Sequence, residues 1–168
     1  MKLDFSIGDY IVDLSGISRI VDIKQGSSIK GKEETYIYYE PVSETDRKFT
    51  GSIPLNNLKI AGVRKILTKK EIKEIVDNLK KRNGGGEEYN PVKAKEDIYS
   101  NDPRNIALIF KNYWKNLETI NKTDRELILD ALEHFCKEIS FVTKEKYLTV
   151  RKEIVSILNK VNQVSLSF

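Results

Sequence analysis

The chain has 168 residues, of which 39% are hydrophobic and 32% are charged, and its formal net charge is +4. The composition is typical of a soluble protein with a folded core, and the charge permits nucleic-acid binding without demonstrating it. The single cysteine excludes an intrachain disulfide. The N-terminal stretch MKLDFSIGDY lacks the apolar segment of a secretory signal, and no apolar run approaches the ~18 residues that cross a bilayer. We therefore expect a cytoplasmic protein with no membrane partner.

The first sixty residues are rich in short β-type runs that are separated by turns. The runs are residues 9–14, 18–25, 35–42 and 47–55, with a fifth strand if residues 57–61 also pair. Many short strands at close spacing predict a small barrel or a strongly bent sheet.

From Thr68 onwards the hydrophobic period becomes helical. Five helices are predicted from their start signals, and four of them, all except the short helix from Pro91 to about Tyr99, show an apolar stripe. The start signals are the capping box Thr68 with Glu71, Asn90 with Pro91, Asp102 with Pro103, a second capping box of Thr123 with Glu126, and Thr143. The glycine-rich segment 83–90 is predicted to be a flexible loop, and the tail 162–168 is predicted to fray.

Strands followed by helices predict an α+β protein with segregated domains rather than an α/β sheet. We expect a small Tudor-like or SH3-like β-barrel over residues 1–62, a connector over 63–67, and an all-α bundle over 68–165.

The sequence between the predicted domains carries an ordered set of positions, IP–N–GVR, followed by KILTKKEIKEIVDNL. The matching positions are Ile53, Pro54, Asn57, Gly62, Val63 and Arg64. With FSIGDYIV, SGISRIVDI, IKGKEETYIYY and SNDPRNIALIFKNYWKN, this set resembles the CarD/CdnL family of bacterial RNA-polymerase-binding transcription regulators. The resemblance covers about residues 5 to 140 and is strongest in the IP–N–GVR stretch.

The resemblance implies a Tudor-like barrel that docks on the RNA polymerase β subunit and a helical bundle that lies against promoter DNA and stabilises the open complex. Ser27 and Ser52 fall where some family members have polymerase-facing arginines, and Pro54 belongs to the shared motif. Where the family often has a wedge tryptophan, this chain has Tyr89. Three basic residues are the other candidates for DNA contact: Lys93, Lys95 and Arg125.

Tyr36, Tyr38 and Tyr39 lie on one predicted strand, where the first two share a face and the third takes the other. An exposed tyrosine face suits protein recognition, and the alternative is that all three pack within their own domain. Tyr36 and Tyr38 join Ser27, Ser52 and Pro54 as predicted polymerase-binding residues.

Several basic residues of the helical part could contact phosphates, among them Lys111 and Lys115, which are four apart on a predicted helix. The alternative is a mixed solvated surface, because acidic residues are interleaved with them. Trp114, the one tryptophan, is expected to pack in the bundle.

The predicted connector residues are Asn57, Gly62 and Arg64. Gly62 should permit a tight or left-handed turn, and Arg64 is expected to bridge the domains through backbone carbonyls.

No residue spacing indicates catalysis or metal binding. His134 and Cys136 are two apart on a predicted helix, so they point in different directions and cannot share a metal by themselves. We expect no enzyme activity, no metal, no cofactor and no small-molecule ligand. The alternative to a transcription regulator is a protein–protein adaptor of barrel-plus-bundle type that makes no DNA contact.

Overall fold

The structure is a computed structural model that describes residues 5–27, 31–42, 50–81 and 88–167. The chain divides into two compact units, Met1–Ile66 and Leu67–Phe168. The described part of the first unit holds all five strands and that of the second holds all five α-helices. The predicted α+β class with segregated strands and helices is therefore confirmed, and the strands form an open antiparallel sheet.

The sheet has the strand order β4-β3-β2-β1-β5. The strands are β1 Tyr10–Asp13, β2 Gly16–Ser27, β3 Glu33–Pro41, β4 Gly51–Pro54 and β5 Arg64–Lys65. The predicted fifth strand at 57–61 is wrong, because a 3-10 helix occupies Leu55–Asn57 and a turn follows it. Gly62 ends this turn with φ +64°, the left-handed conformation that was expected of it, and β5 then pairs with β1.

The core of the first unit is small and lies on one face of the sheet. Five buried side chains form it: Ile11, Ile20, Ile37, Leu58 and Val63. Tyr39, Ile53 and Leu55 are among the half-buried residues that pack against it. A bulge between Ile20 and Asp22 lets β2 keep Ile20 and Ile23 on this face.

The second unit contains five α-helices. They are α1 Lys69–Lys80, α2 Pro91–Tyr99, α3 Pro103–Tyr113, α4 Lys122–Thr143 and α5 Tyr147–Asn162. The first capping box is confirmed, because Thr68 accepts from the Glu71 backbone N–H and the Glu71 carboxylate accepts from the Thr68 backbone N–H. Asn90 and Asp102 cap α2 and α3 as predicted.

Two predicted helix starts are wrong. The N-cap of α4 is Asn121, whose side chain accepts from the Asp124 backbone N–H at 2.9 Å, so Thr123 lies inside the helix and no Thr123–Glu126 box caps it. Thr143 is the last residue of α4, and its hydroxyl donates to the Ile139 carbonyl. The α4 helix persists this far because its apolar stripe continues to Ile139, which is buried.

The predicted fraying of the tail is also wrong for its described residues. Leu166 is buried in the core of the second unit. Asn159 of α5 holds it there, since the Asn159 amide donates to the Leu166 carbonyl at 2.8 Å and accepts from the Leu166 backbone N–H at 3.3 Å.

The core of the second unit is larger, and four aromatic side chains are buried in it: Phe110, Tyr113, Trp114 and Phe135. Trp114 is fully buried, which confirms the expected packing role, and its indole Nε1 donates to the Asn159 side chain at 2.8 Å. Phe110 and Phe135 meet edge to face at 5.8 Å between ring centroids. In the part of the chain that the structure describes, no helix is long and apolar enough to cross a lipid bilayer.

Candidate functional site

The strand register places four of the predicted polymerase-binding residues side by side. Tyr36 lies opposite Pro54, and Tyr38 lies opposite Ser52. Because opposite residues of an antiparallel pair point to the same face, all four project from the face opposite to Ile37, which is buried in the core. We call these four residues the tyrosine face.

Tyr36 and Tyr38 are held differently on this face. The Tyr36 ring covers Gly26 of the neighbouring strand so closely that a Cβ at Gly26 would lie 3.2 Å from it. The Tyr38 ring has the Lys24 ammonium 5.7 Å from its centroid, and Lys24 pairs with Asp22. Both rings stay half-buried, so each presents apolar area beside a polar group.

The pKa values of this ion pair follow from its geometry. The hydrogen bond from Lys24 lowers the pKa of Asp22, and the same bond raises the pKa of Lys24. Both groups are therefore charged at neutral pH, and the tyrosine face carries a fixed pair of opposite charges at its border.

Ser27 does not join this set. It pairs with Glu33 at the far end of β2, and the alternation of the strand puts it on the face opposite to Tyr36. A partner that binds Tyr36 and Tyr38 could therefore contact Ser27 only around the edge of the sheet.

Tyr39 lies on the core face, as the alternation predicts, and packs against the core of the first unit. Its ring covers Gly51, where a Cβ would come within 2.6 Å of it. Burial raises the pKa of the Tyr39 phenol, and the charge of Asp13 adds to this effect. Tyr39 therefore serves packing, whereas Tyr36 and Tyr38 lie on the other face.

The tyrosine face reaches one end of the sheet. β4, which carries Ser52 and Pro54, is the last strand in the order, and among the described residues only β3 pairs with it. An end strand offers backbone groups to which a partner strand can bond.

The predicted connector residues all lie in the first unit. Arg64 belongs to β5, opposite Val12, and its guanidinium Nη1 donates to the Lys65 carbonyl at 3.2 Å. The Asn57 carbonyl accepts from the Ala61 backbone N–H at 2.9 Å. With the turn at Gly62, these contacts shape the end of the sheet, and the bridging role of Arg64 stays a prediction.

Two of the four predicted DNA-contacting residues converge on a buried acid. Asp124 is 2% exposed, and the Lys95 ammonium lies 3.2 Å from its Oδ1. The Tyr89 phenol also bonds to Asp124, and the Tyr89 ring meets Tyr113 edge to face at 5.0 Å. Lys95 and Tyr89 therefore join α2 and the segment before it to the start of α4.

The pKa directions describe the same network. Burial alone would raise the pKa of Asp124, but hydrogen bonds from Asn121, Lys95 and Tyr89 hold that pKa below its usual value. Burial and the bond to Asp124 raise the pKa of the Tyr89 phenol. The stable state at neutral pH is a carboxylate that accepts from a neutral phenol and an ammonium.

The remaining predicted DNA-contacting residues are Lys93 on α2 and Arg125 on α4. Lys93 is exposed and two residues from Lys95, so the two project about 200° apart on α2. Arg125 is half-buried in the first turn of α4. Lys111 and Lys115, which are predicted to share a helix face, lie in two consecutive elements, because α3 ends at Tyr113 and Lys115 belongs to the 3-10 helix Trp114–Asn116.

Within the described ranges, no group of histidine, cysteine or acidic side chains could hold a metal ion. Burial raises the pKa of the Cys136 thiol to about 12, so this cysteine stays protonated at neutral pH. Positions 83–87 of the predicted loop 83–90 lie outside the described residues.

Sequence reasoning missed two buried acids that organise the helical unit. Asp124 carries the signal of an N-x-x-D helix start from Asn121, which competes with the T-x-x-E pattern that begins two residues later at Thr123. Glu138 is 1% exposed and accepts from the Leu67 backbone N–H at 2.9 Å. Glu138 has no such local signal, because its partner is 71 residues away.

A scan against protein-family models found no match to this chain, and a search of curated proteins found none either.

Proposed function

We propose that this chain is a transcription regulator of the CarD/CdnL type, which binds the RNA polymerase β subunit through its first unit and promoter DNA through its second. The observation that carries the proposal is the register that gathers Tyr36, Tyr38, Ser52 and Pro54 on one face of the sheet. Tyrosines are enriched at protein interfaces, because one side chain offers both apolar area and a hydrogen-bonding group.

In this proposal the open sheet belongs to a Tudor-like barrel, and β4 is where the polymerase docks. The tyrosine face would supply the side-chain contacts, while the end strand could add backbone hydrogen bonds to a strand of the β subunit. The Asp22–Lys24 pair at the border would set the orientation of the partner rather than the affinity.

The regulatory effect would come from differential binding. A bundle that contacts the melted promoter and not the closed one shifts the equilibrium between them, and a difference of ~1.4 kcal/mol shifts it about tenfold. No cofactor is needed for this mechanism.

The test uses the full chain and the isolated RNA polymerase β subunit. Tyr38→Ser removes one ring from the tyrosine face, and we expect it to weaken binding about tenfold, as for a residue at the centre of an interface. Tyr99→Ser is the matched control, because Tyr99 is 56% exposed on α2 of the other unit. Absence of binding at tens of micromolar by the unaltered chain would refute the proposal.

A second candidate is an adaptor that binds only proteins. The contacts of Lys95 and Tyr89 with Asp124 favour the adaptor, because these two predicted DNA-contacting residues already have intramolecular partners. A salt titration of promoter binding separates the candidates. Phosphate contacts require affinity to fall steeply as salt rises, whereas the adaptor shows no DNA binding even at low salt, alone or with polymerase.

A further inference from the structure

A cleft opens between α1 and α3 of the helical unit, away from the Asp124 network. Its volume is about 280 Å³. From α3 it is lined by the i, i+3, i+4, i+7 series that begins at Arg104. From α1 it is lined by Ile75, Asn78 and Leu79, and Lys81 follows at the C-cap of that helix. The lining residues are Ile75, Asn78, Leu79, Lys81, Arg104, Ala107, Leu108 and Lys111.

The floor of the cleft is apolar. Ile75, Leu79 and Ala107 are buried, and Leu108 is 51% exposed at the side of the cleft. An apolar concavity of this size fits a short aliphatic chain or a single ring.

The rim of the cleft is basic, and we call Lys81, Arg104 and Lys111 the basic rim. None of the described lining residues is acidic. Lys111 donates to the Asn78 carbonyl at 3.1 Å, and Lys81 donates to the Asn78 side chain at 3.0 Å, so both ammonium groups are held at the C-terminal end of α1. Burial lowers the pKa of Lys111, and the charge of Lys81 adds to this effect. The Lys81 and Lys111 ammonium groups repel each other, and the anionic head group of a ligand would offset this repulsion.

We propose that this cleft binds a small amphipathic anion, an aliphatic carboxylate whose chain lies on Leu79, Ala107 and Leu108 and whose head group meets the basic rim. No feature of the sequence predicts a small-molecule ligand. The cleft lies in the helical unit and does not involve the tyrosine face, so this inference does not depend on the proposed function.

The test is a titration of the full, isotope-labelled chain with decanoate, followed by NMR. We expect saturable shifts in the amides of α1 and α3. Decanol, which has the same chain without the charge, should bind at least about tenfold more weakly, because charge-assisted hydrogen bonds to the head group are absent.

Arg104→Gln should weaken decanoate binding about tenfold, whereas Lys73→Gln, an equal loss of charge at an exposed position of the same helix pair, should leave it unchanged. Leu108→Gln, at an exposed position that the fold tolerates, should weaken decanoate and decanol alike. The proposal is overturned if no saturable shift of the amide signals appears by 10 mM decanoate, a concentration that corresponds to about the weakest dissociation constant that the titration should detect. It is also overturned if decanol binds as tightly as decanoate, or if Lys73→Gln and Arg104→Gln have equal effects.

Discussion

Replacement of Gly51 by alanine should destabilise the sheet, although alanine is ordinarily the better residue in a strand. A Cβ at Gly51 would lie 2.6 Å from Cζ of the Tyr39 ring, about 1 Å closer than carbon atoms approach without strain. Either the ring leaves the core face or β4 shifts away from β3. Overpacking of this kind costs about 1 to 2 kcal/mol.

Gly51→Ala should stabilise the sheet, instead of destabilising it, when the Tyr39 ring is absent. In a Tyr39→Val background the added methyl meets no ring, and the strand gains about 0.5 kcal/mol or more because glycine is disfavoured in a strand interior. The double-mutant cycle should therefore give a coupling free energy of about 2 kcal/mol between the two positions. Gly26→Ala, whose Cβ would lie 3.2 Å from the Tyr36 ring, should cost less than Gly51→Ala.

The assay is hydrogen exchange of the β3 and β4 amides in the full chain, measured by NMR, because it reports the opening free energy of the sheet separately from that of the helices. The reasoning is refuted if Gly51→Ala stabilises the sheet when Tyr39 is present, or if its effect is equal in both backgrounds.

Three further predictions concern the helical unit. Asp124→Asn should lower the free energy of unfolding at pH 7 by about 1 to 3 kcal/mol, measured by urea titration, because a charged acceptor is lost from a buried network. Since the folded pKa of Asp124 lies below 3.8, its contribution is present above that pH and is lost as the pH falls through the folded pKa, so the variant should depend less on pH in acid. Glu138→Ala should cost about 1 to 3 kcal/mol in the same titration, because the Leu67 backbone N–H loses its buried acceptor. Cys136 should resist a thiol reagent at pH 8 and react on unfolding, because burial holds its pKa at about 12.

Matched controls accompany these three tests. Asp130→Asn and Glu145→Ala remove exposed acids and should change the unfolding free energy by less than about 0.5 kcal/mol. An Asp124→Asn variant with the stability and acid profile of the unaltered chain would contradict the network. Equal losses from Glu138→Ala and Glu145→Ala would contradict the buried bond, and rapid labelling of the folded thiol would contradict its burial.

The sequence predicts those features that depend on neighbouring residues. The Thr68–Glu71 box and the proline that follows Asp102 are local, so the starts of α1 and α3 follow from spacing alone. The opposite faces of Tyr38 and Tyr39 follow in the same way from the period of a strand.

Features that depend on distant partners could not be predicted. Asn121 and Thr123 both match helix-start patterns. The helix begins after Asn121, because this start places Asp124 in the core, where Lys95 pairs with it. The short strand β5 forms only because β1, some fifty residues earlier, offers it an edge. The separation of Ser27 from the tyrosine face depends on the register in which β2 pairs with β3, which no local pattern marks.

The measurement that tests the proposed function most directly is an NMR titration of the labelled full chain with the RNA polymerase β subunit. If the polymerase docks where we propose, the amides of Tyr36, Tyr38 and Ser52 should shift or broaden first, and those of Ser27 should respond less. Binding that leaves these strand signals unchanged, or that perturbs only the helical unit, would contradict the account.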